Sequence, residues 1–204
     1  MNQATRDLAG RFELELAGAT SAPVSLQVLD TPVGPLVAAA VDHGLVLLEF
    51  GNEQRIDRQL SLITRDFGPV RLGQHPVIAA TEHQLSEYFA GTRQQFTIPL
   101  ETRGTPFQQR VWAALMTIPY GTTVAYADIA DQLGISNGQR AVGLANGQNR
   151  IAIIIPCHRV IERGGGLRGY GGGLERKKFL LQLEARHSDP LADTPLGRQA
   201  SRLG

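Results

Sequence analysis

The chain has 204 residues, 42% of them apolar and 19% charged, which is enough to bury a core in one large domain or two small ones. A single cysteine excludes an internal disulfide, and five scattered histidines offer no zinc-ligand spacing, so we expect no structural metal. The N-terminus lacks a signal-peptide pattern, and no apolar run approaches the roughly 20 residues of a membrane helix. We therefore expect a cytoplasmic protein without a membrane partner.

The formal net charge of +1 conceals an uneven distribution. Residues 1–100 carry seven Arg and no Lys against eleven Asp and Glu, a balance of −4. Residues 136–186 carry nine Lys and Arg against three Glu, a balance of +6. A segment of this kind is typical of a protein that holds a polyanion at one end, although an ordinary solvated basic surface gives the same count.

The front of the chain predicts a small α/β domain over residues 23–103, preceded by an N-terminal extension over residues 1–22. Short apolar or alternating runs between turn residues predict strands, and helical spacing predicts two helices. The predicted strands lie at 24–29, 35–41 and 45–50, the helices at 53–63 and 76–90, and a further short strand within 91–100. This domain contains no constellation that indicates catalysis.

Residues 104–187 predict a second, mainly helical domain. Thr105, Pro106 and Gln108 form a capping-box pattern at the start of its first helix. Helical stretches at 125–133 and 137–145, joined by a glycine turn, are typical of a helix-turn-helix, although an ordinary helical hairpin has the same pattern. A last helix is predicted over 174–186, and the Pro-rich polar tail over 188–204 is predicted to be disordered.

The helix predicted over 137–145 is built largely of small residues, and Gly147 follows it. Each interior glycine costs roughly 1 kcal/mol of helix propensity, so a purely structural helix gains nothing from Gly138 and Gly143. Small side chains let another backbone approach closely. That backbone is either a nucleic acid, into which Arg140 would insert, or the preceding helix, and the residues favour neither.

The single cysteine, Cys157, lies in the stretch IPCHRVI after an apolar run over 151–155 that predicts a buried strand. His158 and Arg159 make its surroundings electropositive, which favours a reactive thiolate. Because neighbouring residues on a strand point to opposite faces, His158 would reach the sulfur only at a turn or through a bridging water. The alternative is that Cys157 is a small buried hydrophobe.

Glu184 is the candidate to orient His158, since a catalytic base of this kind needs a third group. On the last helix it lies four residues after Leu180, away from a basic side that we assign to Arg176 and Lys177. A carboxylate at the edge of a core face costs free energy unless it meets a partner. The alternative partner is a surface Lys or Arg.

A glycine-rich loop, GGGLRGYGGG, spans residues 164–173, and seven of its ten residues are glycine. Such a loop lets the backbone approach a ligand closely, and it is equally typical of a mobile segment without a function. It lacks the Gly-Lys-Ser/Thr of a phosphate-binding loop, which argues against a nucleoside triphosphate site.

These motifs together resemble the O6-alkylguanine-DNA alkyltransferases, also called methylated-DNA-protein-cysteine methyltransferases. PCHRV, with RAVG and Asn149 before it and GYGGG and RKKFLLQLE after it, carries the resemblance over residues 105–184. TPVGPL and GLVLLEF resemble the family's variable N-terminal domain. The resemblance implies a two-domain α/β fold, with a small antiparallel-sheet α/β (ribonuclease H-like) domain and a mainly helical domain containing a helix-turn-helix.

The resemblance also implies roles for individual residues. Cys157 would take the alkyl group from guanine O6 in one displacement and keep it. His158 would be linked through a water to Cys157 and directly to Glu184, and Asn149 would brace the turn before the active site. Tyr126 would assist rotation of the 3′ phosphate and donate a hydrogen bond or a proton to guanine N3.

For DNA, the resemblance implies that Arg140 fills the gap left by the flipped nucleotide. The remaining implied contacts are with DNA at Ala141, Gly143 and Arg150, and with the alkylated base at Val160, Tyr170 and Gly171. Two of these depart from the family pattern, because many members have proline where Arg150 stands and some have serine where Gly171 stands.

The implied partner is double-stranded DNA, bound through its minor groove by a monomer, with cooperative assembly on DNA left open. No cofactor is implied, each molecule would act once, and O4-alkylthymine would be a second substrate. Two other classes of function compete with this interpretation. One is a non-catalytic protein that binds or flags damaged DNA, and the other is a cysteine hydrolase, which is weakened because no second histidine has a motif context.

Overall fold

The computed structural model describes residues 24–188. The extension predicted over 1–22 lies outside the described residues, as does the tail predicted over 188–204 except for Ser188. Two compact units are present: of the described residues, 24–87 and 96–103 form the first, while 88–95 and 104–188 form the second. The second unit therefore includes a segment that the predicted domain limits assign to the first.

The N-terminal unit is built on a four-stranded sheet in the order β3-β2-β1-β4. Its strands are β1 (Val24–Leu29), β2 (Leu36–Val41), β3 (Gly44–Phe50) and β4 (Val70–Leu72), and its helices are α1 (Glu53–Phe67) and α2 (Pro76–Phe89). The pairs β1–β2 and β2–β3 are antiparallel, so the three strands predicted at the front of the chain are confirmed and form a meander. β4 pairs with β1 in parallel, so the sheet is mixed at one edge.

The core of this unit lies between the sheet and α1. Every residue of β3 is buried, and α1 packs Ile56, Leu60 and Ile63 into the same apolar cluster as the strands. α1 begins at Asn52, whose side chain accepts a hydrogen bond from the Arg55 backbone N–H. The sheet thereby buries one face of an amphipathic helix.

The strand predicted within 91–100 is wrong, because that segment makes only an isolated bridge between Leu45 and Leu100. The Leu45 N–H donates to the Pro99 carbonyl (2.8 Å) and the Glu101 N–H donates to the Leu45 carbonyl (3.0 Å). Pro99 has no N–H, so the ladder cannot be extended through it.

The C-terminal unit is mainly helical. It contains α3 (Pro106–Met116), α4 (Tyr126–Gln132), α5 (Gln139–Gly147), a 3₁₀ turn (Cys157–Arg159) and α6 (Leu174–His187), together with the parallel pair β5 (Val124–Ala125) and β6 (Val160–Ile161). The capping box at the start of α3 is confirmed: the Thr105 side chain accepts from the Gln108 N–H, and the Gln108 side chain accepts from the Thr105 N–H. None of the helices in residues 24–188 is both long and apolar enough to cross a membrane.

α4 and α5 form the predicted helix pair and are joined by a short turn in which Gly134 and Asn137 have positive φ angles of 71° and 55°. α3 packs against this pair, and the indole N–H of Trp112 donates to the Ala145 carbonyl at 2.9 Å. This hydrogen bond satisfies both a helix carbonyl and a buried indole donor. The helix pair is therefore anchored at the C-terminal end of α5.

The buried strand predicted over 151–155 is wrong, because these residues form a compact turn that is buried throughout. The Asn149 side chain donates to the carbonyls of Ile155 (2.9 Å) and Ile151 (3.3 Å) and accepts from the Ile151 N–H (2.9 Å). One side chain thus satisfies backbone groups that a strand ladder would otherwise pair. Ile153 adopts a φ of 70°, which is unfavourable for a β-branched residue, so the surrounding contacts must hold the turn in place.

Candidate active site

Cys157 begins the 3₁₀ turn and is 7% exposed. Its N–H donates to the Ile155 carbonyl (2.7 Å), and its carbonyl accepts from the Asn146 side chain (3.3 Å). The chain therefore turns at the cysteine instead of continuing as a strand. This geometry removes the alternation that would place the sulfur and the His158 ring on opposite faces.

His158 is fully buried, and its Nε2 lies 2.7 Å from Oε1 of Glu184. Its Nδ1 is also buried and has no hydrogen-bond partner among the described residues. Burial lowers the pKa of His158; the Glu184 carboxylate opposes this, whereas Arg159 and Lys177 reinforce it. We therefore infer a neutral ring that donates its Nε2 proton to Glu184 and leaves Nδ1 as an acceptor.

Arg159 forms a bidentate ion pair with Glu184. Its Nε and one terminal nitrogen donate to the two carboxylate oxygens at 2.9 and 3.0 Å, and its other terminal nitrogen donates to the Ile118 carbonyl at 2.7 Å. The guanidinium carbon lies 5.6 Å from the centre of the Tyr120 ring. We predicted that Arg159 contributes positive charge to the surroundings of Cys157. In the structure, the Glu184 carboxylate neutralises that charge.

Glu184 accepts two more hydrogen bonds, from the Tyr88 hydroxyl (2.7 Å) and the Gly121 N–H (3.2 Å). Burial alone would raise the pKa of the Glu184 carboxyl, but the charges and hydrogen bonds of His158 and Arg159 outweigh burial and lower it. Since His158 is neutral, we attribute the lowering mainly to Arg159. The alternative of a surface partner for Glu184 is wrong, because both of its charged or titratable partners are buried.

Lys177 is fully buried, so its assignment to a solvated basic side with Arg176 is wrong. Its Nζ donates to the carbonyls of Val160 (2.6 Å) and Arg168 (3.3 Å) and lies 6.0 Å from the centre of the Tyr126 ring. Lys177, Leu180 and Glu184 are spaced i, i+3, i+7. That spacing places all three on one face of the helix. The sequence could therefore have indicated that Lys177 is buried, because it shares a face with Leu180.

Tyr126 begins α4, and its hydroxyl donates to the Arg168 carbonyl at 3.4 Å, so Tyr126 and Lys177 share one acceptor on the glycine-rich loop. Gly143 of α5 lies against the Tyr126 ring, because a Cβ built at Gly143 would be 3.8 Å from it. Val160 is fully buried directly after the 3₁₀ turn, Tyr170 is half-buried and Gly171 is exposed. The C-terminal unit thus contains six of the predicted site residues, namely Cys157, His158, Glu184, Tyr126, Asn149 and Val160. Their roles remain predictions.

The predicted DNA-contacting residues lie mostly on the outer side of α5. Arg140 and Ala141 are exposed, Gly143 is partly exposed, and Arg150 is half-buried after the helix. Leu144 is 66% exposed on the same side of α5 and was not predicted. Gly147 has open space beyond its Cα, so helix packing does not account for a glycine there.

A cleft of ≈ 740 Å³ separates α4 and α5 from the glycine-rich loop. Tyr126, Arg140 and Gly143 line one side, and Arg163 and Arg168 line the other. Asp131 and Glu162 also line it, so the cleft presents side chains of both charges and a tyrosine to an incoming ligand. Across residues 24–188, no three His, Cys, Asp or Glu side chains are grouped closely enough to hold a metal ion.

Both units match models of known protein domains. A model described as "6-O-methylguanine DNA methyltransferase, DNA binding domain" matches residues 106–186, and one described as "6-O-methylguanine DNA methyltransferase, ribonuclease-like domain" matches residues 25–102.

Curated relatives and solved structures agree with these domain models. A methylated-DNA-protein-cysteine methyltransferase of Mycobacterium tuberculosis (strain CDC 1551 / Oshkosh) is 47% identical over 164 residues, which are 79% of this chain and 92% of the relative. The constitutive methylated-DNA-protein-cysteine methyltransferase of Bacillus subtilis is 42% identical over 156 residues, 76% of this chain and 92% of the relative. The crystal structure of Mycobacterium tuberculosis OGT in complex with DNA has a TM-score of 0.70 and 44% identity, and covers 81% of this chain and 96% of that one.

Glu184→Gln should lower the free energy of unfolding at pH 7 by about 3–5 kcal/mol, because it leaves the Arg159 guanidinium buried without a counter-charge. The native pKa of Glu184 lies below its unfolded value, so its contribution is present above about pH 4.3 and is lost as pH falls through the native pKa. The wild type should therefore lose stability on acidification more steeply than the variant. Urea unfolding at several pH values measures both quantities.

Glu175→Gln is the matched control, since Glu175 lies on the same helix and is exposed. It should change the free energy of unfolding by less than about 1 kcal/mol. Equal unfolding free energies for the two variants would contradict the role assigned to Glu184.

Proposed function

The chain belongs to the 6-O-methylguanine DNA methyltransferase family, and we propose on that basis that it repairs DNA by moving the alkyl group of O6-alkylguanine onto its own Cys157. One observation carries the proposal to these residues. Cys157 lies on a buried turn next to His158, whose Nε2 lies 2.7 Å from the Glu184 carboxylate. A nucleophile, a base and an orienting group in this order suit nucleophilic attack by sulfur.

In the proposed reaction, the sulfur of Cys157 forms a bond to the alkyl carbon while the bond from that carbon to guanine O6 breaks. The thiol proton passes to Nδ1 of His158 and on to solvent before the displacement. The bond pair left on guanine takes up one proton from solvent, so no net charge remains. The products are a thioether and an unmodified guanine. Because a thioether is a poor leaving group, the protein acts once, and the chemistry requires no cofactor.

Glu184 supports the proton step by holding the Nε2–H side of His158, so that Nδ1 keeps its lone pair. An ionised carboxylate at 2.7 Å also stabilises the imidazolium that forms when Nδ1 accepts a proton. Asn149 acts at a distance from the sulfur by fixing the turn before Cys157. Its role is that of a positioning residue.

We assign Tyr126 to the leaving guanine, because Tyr126 lines the cleft and its hydroxyl could exchange its 3.4 Å contact with the Arg168 carbonyl for one with the base. A hydrogen bond or proton at guanine N3 disperses the charge that develops on the ring. Val160, Tyr170 and Gly171 would surround the base, with Gly171 contributing through its backbone.

We propose that double-stranded DNA is held through its minor groove by α5, since the alkyl group on O6 lies inside the base stack and the nucleotide must be flipped out. The exposed side of α5 carries small residues next to Arg140, and Arg140 is the side chain to fill the gap in the stack. Ala141 and Gly143 permit the approach, and Arg150 would contact a phosphate. A solved DNA complex of a 44% identical homologue supports DNA as the partner.

Several finer points belong to the same proposal. We expect the protein to act in the cytoplasm as a monomer, and to accept O4-alkylthymine as a second substrate. Sedimentation of the protein with long duplexes would measure whether its assembly on DNA is cooperative. We also propose the domain limits of 23–103 and 104–187.

Incubation with duplex DNA carrying labelled O6-methylguanine should place the label on Cys157 and reach a plateau at about one methyl group per chain, because the single acceptor is consumed. Peptide mass spectrometry locates the label. Cys157→Ala should abolish transfer and keep binding to the modified duplex. Repeated turnover would indicate a hydrolase, and binding without transfer by the wild type would indicate a damage-flagging protein; either result contradicts the proposal.

Arg140→Ala should slow transfer from duplex DNA by about tenfold or more, because the gap left by the flipped base is no longer filled and unstacking costs a few kcal/mol. Transfer from the free base O6-methylguanine should be unchanged, since no stack is opened. Arg186→Ala removes an exposed arginine of the same unit and is the control for lost charge. Equal slowing of both substrates by Arg140→Ala would show that Arg140 does not act on the base stack.

A further inference from the structure

Three charged side chains are buried in the active-site region, and only two of them neutralise each other. Arg159 pairs with both oxygens of Glu184. Lys177 is fully buried, and no carboxylate among the described residues forms an ion pair with it. Glu162 is instead paired with Arg168 at 3.1 Å. The structure therefore holds one buried positive charge without a carboxylate partner.

Burying an ammonium group costs several kcal/mol unless hydrogen bonds and an opposite charge compensate it. The carbonyls of Val160 and Arg168 satisfy two of the three N–H donors of Lys177, but a carbonyl carries no net charge. Apolar side chains at this position would avoid the cost. A lysine here suggests that an anion forms next to it.

The contacts of Lys177 fix its position relative to Cys157. Val160 directly follows the 3₁₀ turn, its N–H donates to the Cys157 carbonyl, and Arg168 belongs to the glycine-rich loop that lines the cleft. Burial lowers the pKa of Lys177, whereas negative charge on Cys157 and Glu162 acts in the opposite direction. Burial raises the pKa of Tyr126, and negative charge on the same two groups raises it further.

We propose that Lys177 is a positioning residue whose ammonium group, fixed on the Val160 and Arg168 carbonyls, supplies the positive charge that stabilises the Cys157 thiolate in the resting protein. Once the thiol proton has passed to solvent, His158 is neutral again and Arg159 is already paired. Lys177 is then the buried countercharge of the thiolate. This role of Lys177 deepens the proposed alkyl transfer and rests on that function for its biological use. The effect on the thiolate concerns Cys157 before DNA binds, so it can be measured without DNA.

The test is the pH dependence of the reaction of Cys157 with iodoacetamide in the full chain, where sulfur displaces iodide and no guanine is involved. The chain has one cysteine, so mass spectrometry reports its modification without ambiguity. The wild type should have a midpoint at least one pH unit below the roughly 8.5 of an ordinary thiol, because an opposite charge nearby favours the thiolate. Lys177→Met should move the midpoint upward by about one unit and slow the reaction at pH 7 about tenfold.

Two control variants separate charge from packing. Lys177→Arg keeps the charge and should retain most of the low midpoint, and Lys178→Met, at the neighbouring exposed lysine, should leave it unchanged. A purely structural role would lower the maximal rate without moving the midpoint. Coincident midpoints for Lys177→Met and the wild type would overturn the proposal.

A second measurement needs no change at Lys177. Absorbance of the thiolate near 240 nm is titrated in the wild type, and the signal of Cys157→Ser is subtracted from it. The difference gives the midpoint directly, and a value at or above about 8.5 would overturn the proposal. The outcome is separable from that of the labelled-DNA experiment. A shifted midpoint without transfer from DNA would reject the proposed function and keep the role of Lys177, and transfer with an unshifted midpoint would do the reverse.

Discussion

The buried ion pair between Glu184 and Arg159 is the interaction on which the active-site region depends. Glu184 accepts five hydrogen bonds, from Tyr88, Gly121, His158 and, twice, Arg159. These donors come from three separate segments of the C-terminal unit, so one carboxylate on α6 joins parts of the chain that are distant in sequence. Removing either charge would leave the other buried and unpaired, which costs far more than the pair itself contributes.

The same pair determines the state of its neighbours. Because Arg159 already balances the charge of Glu184, the carboxylate does not require an imidazolium beside it. We infer that the buried Nδ1 of His158 is left as an acceptor. Lys177 forms no ion pair with a carboxylate among residues 24–188 and donates to the Val160 and Arg168 carbonyls, which is the basis for assigning its charge to the sulfur. Two of the nine cations of the basic segment therefore serve the active site from inside, and the segment is less of a DNA-binding surface than its charge balance indicates.

Local signals predicted much of the molecule from its sequence. The capping box before α3, the front meander and the helix pair are set by residues close together in the chain, so their patterns are readable. The turn over 151–155 could not be predicted, because an apolar run is equally compatible with a buried strand and a buried turn. The hydrogen bonds of the Asn149 side chain to the backbone of this segment make it a turn. Arg159 and Lys177 were misjudged because long cationic side chains are usually exposed, and their burial depends on partners distant in sequence.

The protonation state of His158 tests the account most directly, because it joins the ion pair to the reactivity of Cys157. Long-range ¹H–¹⁵N spectra of ¹⁵N-histidine-labelled protein, with His158→Gln to assign the signal, distinguish both neutral tautomers and the imidazolium. We predict at pH 7 a neutral His158 protonated at Nε2, which remains neutral below the ordinary histidine midpoint of about 6.5, as expected for a buried ring. A proton on Nδ1, or an imidazolium at pH 7, would contradict the account.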